Sequence, residues 1–199
     1  RITVASAGNP LFVEEMLAFV DRSSKEAEIE VPPTIQALLA ARLDQLDPSE
    51  RHVLERGSIE GEIFHRGGVA ALVQDDTPVD GRLVALVRKD LVRPELSQLA
   101  GEDGYRFRHL LIRDAAYETL PKATRAELHE RFASWLEERG SDLVELDEIA
   151  GYHLEQAAVY SRELGRPADE VAARAGDRLA AAGRRALWRE DRRAARALL

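Results

Sequence analysis

His109 is the side chain best suited to chemistry in this chain. It follows Phe107-Arg108 and precedes Leu110-Leu111-Ile112-Arg113-Asp114. An imidazole at a helix start can donate a ring N–H to a phosphate oxygen, more strongly when protonated. The competing reading is an ordinary cap or a satisfied core group. Gly8-Asn9-Pro10-Leu11-Phe12 is the second feature. By physics it is a turn and a capped helix start. Asn9 suits the N-cap, and Pro10 suits the first helical position because its missing N–H would be unpaired there anyway. Arg113 and Asp114 are adjacent, so they are expected to face different sides of a helix and to pair with neighbours or with another domain. His52, His65, His129 and His153 have no metal-ligand spacing. His129 is expected on an exposed face and His153 on a packed one. No G-x-x-x-x-G-K-[ST], G-x-S-x-G or H-E-x-x-H string occurs, so no catalytic residue is assigned and these residues are not read as an enzyme.

The elements that must hold these residues are mainly helical. Arg, Ala, Leu and Glu dominate, aromatics make up 6%, and Cys is absent. That is helix-forming composition without disulfides or Cys-ligated metal, and it fits a cytoplasmic protein. No apolar run approaches a bilayer span, so no membrane is expected. The chain starts Arg1-Ile2-Thr3-Val4, without Met or leader, and reads as an excised piece of a longer protein. Net charge is −8, unevenly spread. From Arg166 to Leu199 nine Arg face five acids, a balance of +4, so the first 165 residues carry −12. An acidic body does not suggest a nucleic-acid binder.

Helical spacing of Leu11, Phe12, Met16, Leu17 and Val20 predicts a helix over Pro10–Asp21. Pro32-Pro33 precedes a second over Thr34–Leu46. Asp47-Pro48-Ser49-Glu50 is a capping box with Pro first, opening a helix to about Ile59, which Gly61 breaks. A short helix over Val69–Val73 and another from Thr77-Pro78 to about Asp90 follow. The period then changes. Leu91–Leu96 and Tyr105–Arg108 read as a two-stranded hairpin around a polar loop. Short helices followed by a hairpin make a winged helix, a variant of helix-turn-helix. Helices resume at His109. Lys122–Arg139 is expected to bury Leu128, Phe132, Trp135 and Leu136, and Leu146–Leu164 to bury the stripe through Ile149, His153, Ala157 and Tyr160. Ala168–Arg185 and Glu190–Leu199 look like one tetratricopeptide-type hairpin.

Gly8-Asn9-Pro10, Val31-Pro32-Pro33-Thr34-Ile35, a winged helix and then His109-Leu110-Leu111-Ile112-Arg113-Asp114, in that order, resemble the back half of bacterial STAND-class ATPases, relatives of the AAA+ ATPases. The resemblance covers nearly the whole chain. It implies a helical lid at 1–46, a winged-helix domain at 47–120, and a helical linker running into tetratricopeptide-like repeats at 121–199. His109 takes the histidine place of the family's Met-His-Asp segment, Arg108 the Met place and Leu110 the Asp place. The resemblance implies that Gly8, Asn9 and Pro10 form a nucleotide-binding turn that packs its proline against the adenine face and that His109 touches the ADP phosphates, in the intact parent protein only. These residues alone would hold no cofactor, while the parent would hold ATP or ADP with Mg on an N-terminal nucleotide-binding domain of the same chain. A signalling protein or ligand would bind the repeats. Some family members are fused to nucleotide cyclase domains, others to transcription-factor output domains. The function so implied is regulatory: the segment senses bound nucleotide and couples it to a C-terminal sensor.

Two alternatives remain. The winged helix could bind DNA directly, through Arg82, Arg88 and Lys89 on Asp80–Asp90. Asp80 and Asp90 offset two of these charges, and Leu83, Val84, Leu86 and Val87 leave little polar surface to read base edges. Nucleic acid is therefore not an expected partner. The other alternative is a helical scaffold that binds partner proteins through its repeats.

Overall fold

The computed structural model describes Glu14 and residues 34–73, 78–97 and 99–198. Gly8-Asn9-Pro10, Pro32-Pro33 and all of the expected first helix except Glu14 lie outside the described residues.

Capping starts the helices where the sequence marks them. In α1 (Ile35–Asp44) the Thr34 hydroxyl accepts from the Ala37 N–H at 3.1 Å. In α2 (Pro48–Glu60) Asp47 accepts from the Ser49 N–H at 2.9 Å, and Glu50 reaches back to the Asp47 N–H at 3.2 Å. The capping box thus satisfies amides that the helix itself leaves unpaired. Gly61 ends α2 at φ 148°, a backbone that a side chain would strain.

Next come β1 (Ile63–His65), α3 (Arg66–Leu72), α4 (Val79–Arg88), β2 (Val92–Glu95) and β3 (Gly104–Phe107). The sheet is antiparallel with order β1-β3-β2. Three strands replace the expected two-stranded hairpin. The extra strand pairs Ile63 with Arg106, Phe64 with Tyr105 and His65 with Gly104. Three residues are too few to show a period-2 pattern, and only pairing to β3 makes them a strand. Helix, strand, helix, helix and two wing strands is winged-helix order. Pro94 is accommodated because β2 is an edge strand, where a missing N–H costs no ladder bond. Asp90 adopts φ 53° at the end of α4, a left-handed turn that Asp tolerates, and this swings the chain into β2.

The remaining elements are α5 (Leu110–Glu118), α6 (Lys122–Arg139), α7 (Leu146–Glu163), α8 (Asp169–Trp188) and α9 (Arg192–Leu198). The first core joins Leu39 and Leu43 of α1 to Val53, Phe64, Leu83, Phe107 and Ile112. Helix α1 thus packs on the same core as the winged-helix elements. A second core runs from Ile59 and Leu72 to Phe132, Trp135 and Ala150, locking α6 and α7 onto α2 and α3. Arg131 of α6 donates to the Leu72 carbonyl at 3.2 Å, supplying a partner to the end of α3. Beyond it, α8 lies on α7 through Leu154 and Ala175, and α9 packs on α8 with Ala186 and Ala195 buried. Small residues let these backbones approach closely. No helix among the described residues is long and apolar enough to cross a membrane.

Candidate functional site

His109 is placed by the wing. Phe107 donates its N–H to Glu62 O at 2.9 Å, and Arg108 donates to Leu91 O at 2.9 Å, so β3 is clamped from both sides up to the residue before His109. His109 then takes an extended conformation, φ −141° and ψ 143°, and is the N-cap of α5. Its side chain makes no capping bond. The ring is therefore not consumed by the role that a junction histidine most often fills. It is a third exposed, with Nε2 3.6 Å from Glu14 Oε2. That distance is too long for a hydrogen bond and becomes an ion pair only when the ring is protonated.

The surroundings of His109 suit an acceptor of negative charge. The first turn of α5 itself contains no acid, so the carboxylate beside this helix start is that of Glu14. Leu110 and Leu111 are 53% and 37% exposed, whereas Ile112 and Ala116 on the opposite face are fully buried. Apolar side chains left in water beside the His109 ring mark a surface on which another body can pack. Of the four predicted site residues, only His109 falls within the described residues; Gly8, Asn9 and Pro10 do not.

Arg113 and Asp114 do not point apart as their adjacency suggested. Arg113 Nη1 folds back to Asp114 Oδ1 at 3.1 Å. Its Nε donates to Ser58 O at 2.9 Å, tying α5 to α2. The guanidinium also lies 4.7 Å from the centre of the Tyr117 ring, a cation–π contact. A long flexible side chain overrides the angular separation of its Cβ.

Sequence reasoning missed a buried polar cluster. Tyr117 of α5 bonds Nε2 of His129 at 2.8 Å and the Tyr160 hydroxyl at 2.9 Å. His129 Nδ1 contacts His153 Nδ1 at 2.8 Å. His129 was expected to be exposed, yet both histidines are 1% exposed. The signal was present: His129 shares a helix face with Ala126, Ala133 and Leu136, all buried. Burial and the nearby Arg113 and Arg125 charges lower His129 to about 3. Burial also holds His153 well below its usual range, with His129 and Arg113 adding to the effect. The Tyr117 phenol is pushed up by burial and by its bond to Tyr160. All three groups are therefore neutral at pH 7. The cluster ties α5, which begins at His109, to α6 and α7.

The α4 face offers little to DNA. Leu83 and Leu86 are buried, and Val84 is 49% exposed. Asp80 is held by Arg66 at 2.7 and 3.0 Å, and Lys89 is bonded to Glu50. On the wing, Arg106 bridges Glu62 and Glu95 at 2.6 Å each, and Arg108 lies 3.5 Å from Asp90. Cations matched by carboxylates do not release phosphate counterions. Among the described residues no group of three His, Cys, Asp or Glu could hold a metal ion. No protein-family model matches the chain, and neither a curated protein nor a solved structure is significantly similar to it.

Proposed function

We propose that this chain is the nucleotide-sensing, regulatory part of a signal-transducing STAND-class ATPase, with His109 facing the phosphates of ADP held by another domain of the parent protein. The observation that carries this reading is the state of His109. It sits at the head of α5 with its ring free of any capping bond, beside exposed Leu110 and Leu111. A ring N–H and the start of α5 would together donate to a phosphate, and the two leucines would be covered by the docked domain. Glu14 would yield His109 to the nucleotide in the closed state. The Arg113 and Tyr117 contacts support coupling, because they join α5 to α2, α6 and α7. Nucleotide release would thus be felt in the C-terminal helices. Exposed Leu187 and Trp188 at the end of α8, 50% and 88% accessible, favour a protein contact on that side. They support the sensor assignment and also the plainer scaffold reading.

The reading requires a phosphate-binding loop in the same open reading frame, upstream of Arg1; its absence would end the proposal. In that intact protein His109→Ala should release ADP at least about tenfold faster and raise basal output. A charge-assisted hydrogen bond contributes roughly 1.5–3 kcal/mol. An unchanged ADP off-rate would leave His109 as an ordinary helix-start residue.

A further inference from the structure

A cleft of about 530 Å³ opens between the wing and α7, away from His109. That volume suits a small organic ligand. Its apolar surface includes Leu96, 90% exposed just past β2, and Tyr152, 48% exposed on α7. Its charged lining is of one sign. Glu60, Glu145 and Glu148 contribute carboxylates, and no Lys or Arg lines it. Glu145 and Glu148 lie at the start of α7 and form no ion pair among the described residues. They also border a second cleft of about 340 Å³, which contains Arg185 and Arg189 and whose charges therefore offset one another.

An independent feature points to a ligand at the first cleft. His65 lines it and is 8% exposed. Its Nδ1 is bonded to Glu60, whose other oxygen accepts the His65 backbone N–H at 2.8 Å. A carboxylate only accepts, so Nδ1 carries the proton and, in the neutral ring, Nε2 is left as an acceptor. Nε2 is buried and has no partner. A buried polar atom without a partner is costly and calls for an explanation. The Glu145 and Glu148 carboxylates and, in the neutral ring, His65 Nε2 are acceptors, so the complementary ligand brings N–H donors and positive charge. Tyr152 adds an aromatic face for a cation.

We propose that the cleft between the wing and α7 binds a small organic cation, an ammonium or guanidinium group on an apolar stem. The site stands independently of the nucleotide-domain reading. It joins β1 and the residue after β2 to α7, so an occupant would bridge the winged-helix elements and the C-terminal helices.

Calorimetric titration of the 199-residue chain with 3-phenylpropylamine, 3-phenylpropanol and 3-phenylpropionate tests this. The amine should bind roughly tenfold or more tightly than the isosteric alcohol, with the acid weakest. Glu148→Gln should weaken the amine several-fold. Leu96→Lys, at a position belonging to this cleft and not to the second, should abolish binding by placing a cation in it. Both positions are exposed, so neither change should disturb folding, which circular dichroism checks. Equal affinity for amine and alcohol, no saturable binding of the amine, or amine affinity retained in Leu96→Lys would overturn the proposal.

Discussion

Mild acid should destabilise this chain through its buried histidine pair. His129 and His153 are each 1% exposed, and burial lowers both. The folded value of His129, about 3, lies below the unfolded value of 6.5. The unfolded chain therefore takes up a proton that the folded chain refuses. Stability from this group is complete above pH 6.5 and is lost as pH falls from there towards 3. Each pH unit in that window costs about 1.4 kcal/mol, so by pH 5 His129 alone removes about 2 kcal/mol. His153 acts in the same direction. The Nδ1–Nδ1 contact strengthens the argument, since two N–H groups cannot face each other across 2.8 Å. Against a typical domain stability of about 5–15 kcal/mol, this loss is large. Urea unfolding at pH 7.5, 6 and 5 measures it, with His129→Gln as the comparison. Glutamine keeps polar atoms at the site but does not titrate. The stability advantage of the parent over the variant should therefore shrink by about 2 kcal/mol between pH 7.5 and 5. Carboxylates common to both proteins cancel in the difference. A pH-independent difference, or an NMR titration of His129 in the folded chain centred near pH 6.5, would refute the reasoning.

Other perturbations test the packing and the wing. Phe132→Ala should cost about 3–5 kcal/mol in urea unfolding, because Phe132 is 1% exposed, belongs to the second core and meets the His153 ring edge-on at 4.6 Å; a loss under about 1 kcal/mol would mean that this core is not packed as described. Gly104→Ala should destabilise the chain by about 1–3 kcal/mol, since the added Cβ would lie 2.8 Å from the Glu95 carbonyl oxygen, a backbone atom of the paired strand; unchanged stability would show that the two wing strands can separate freely. Duplex DNA should not bind sequence-specifically at physiological salt, given the paired cations around α4 and the wing and a net charge of −8. Nanomolar, sequence-dependent affinity in an anisotropy titration would restore the direct DNA-binding alternative.

The sequence by itself determined what short-range physics controls. The capping box at Asp47 and Glu50, the span of α6 and the helical stripe Leu128-Phe132-Trp135-Leu136 were all legible, because caps and 3.6-residue spacing act within a few residues. So was the position of His109 between a wing strand and a helix, since the change from period 2 to period 3.6 falls at that residue. Only the tertiary structure decided the rest. Ile63–His65 becomes a strand because β3 offers it a ladder about 40 residues away in the chain. The polar ring of His129 is accommodated on a face that Ala126, Ala133 and Leu136 mark as apolar because Tyr117 of α5 and His153 of α7 supply its partners there. The cleft beside His65 exists only because Leu96, just past β2, is packed beside Glu148 and Tyr152 of α7. No local spacing encodes such a meeting; it follows from how the second core sets α7 against the wing.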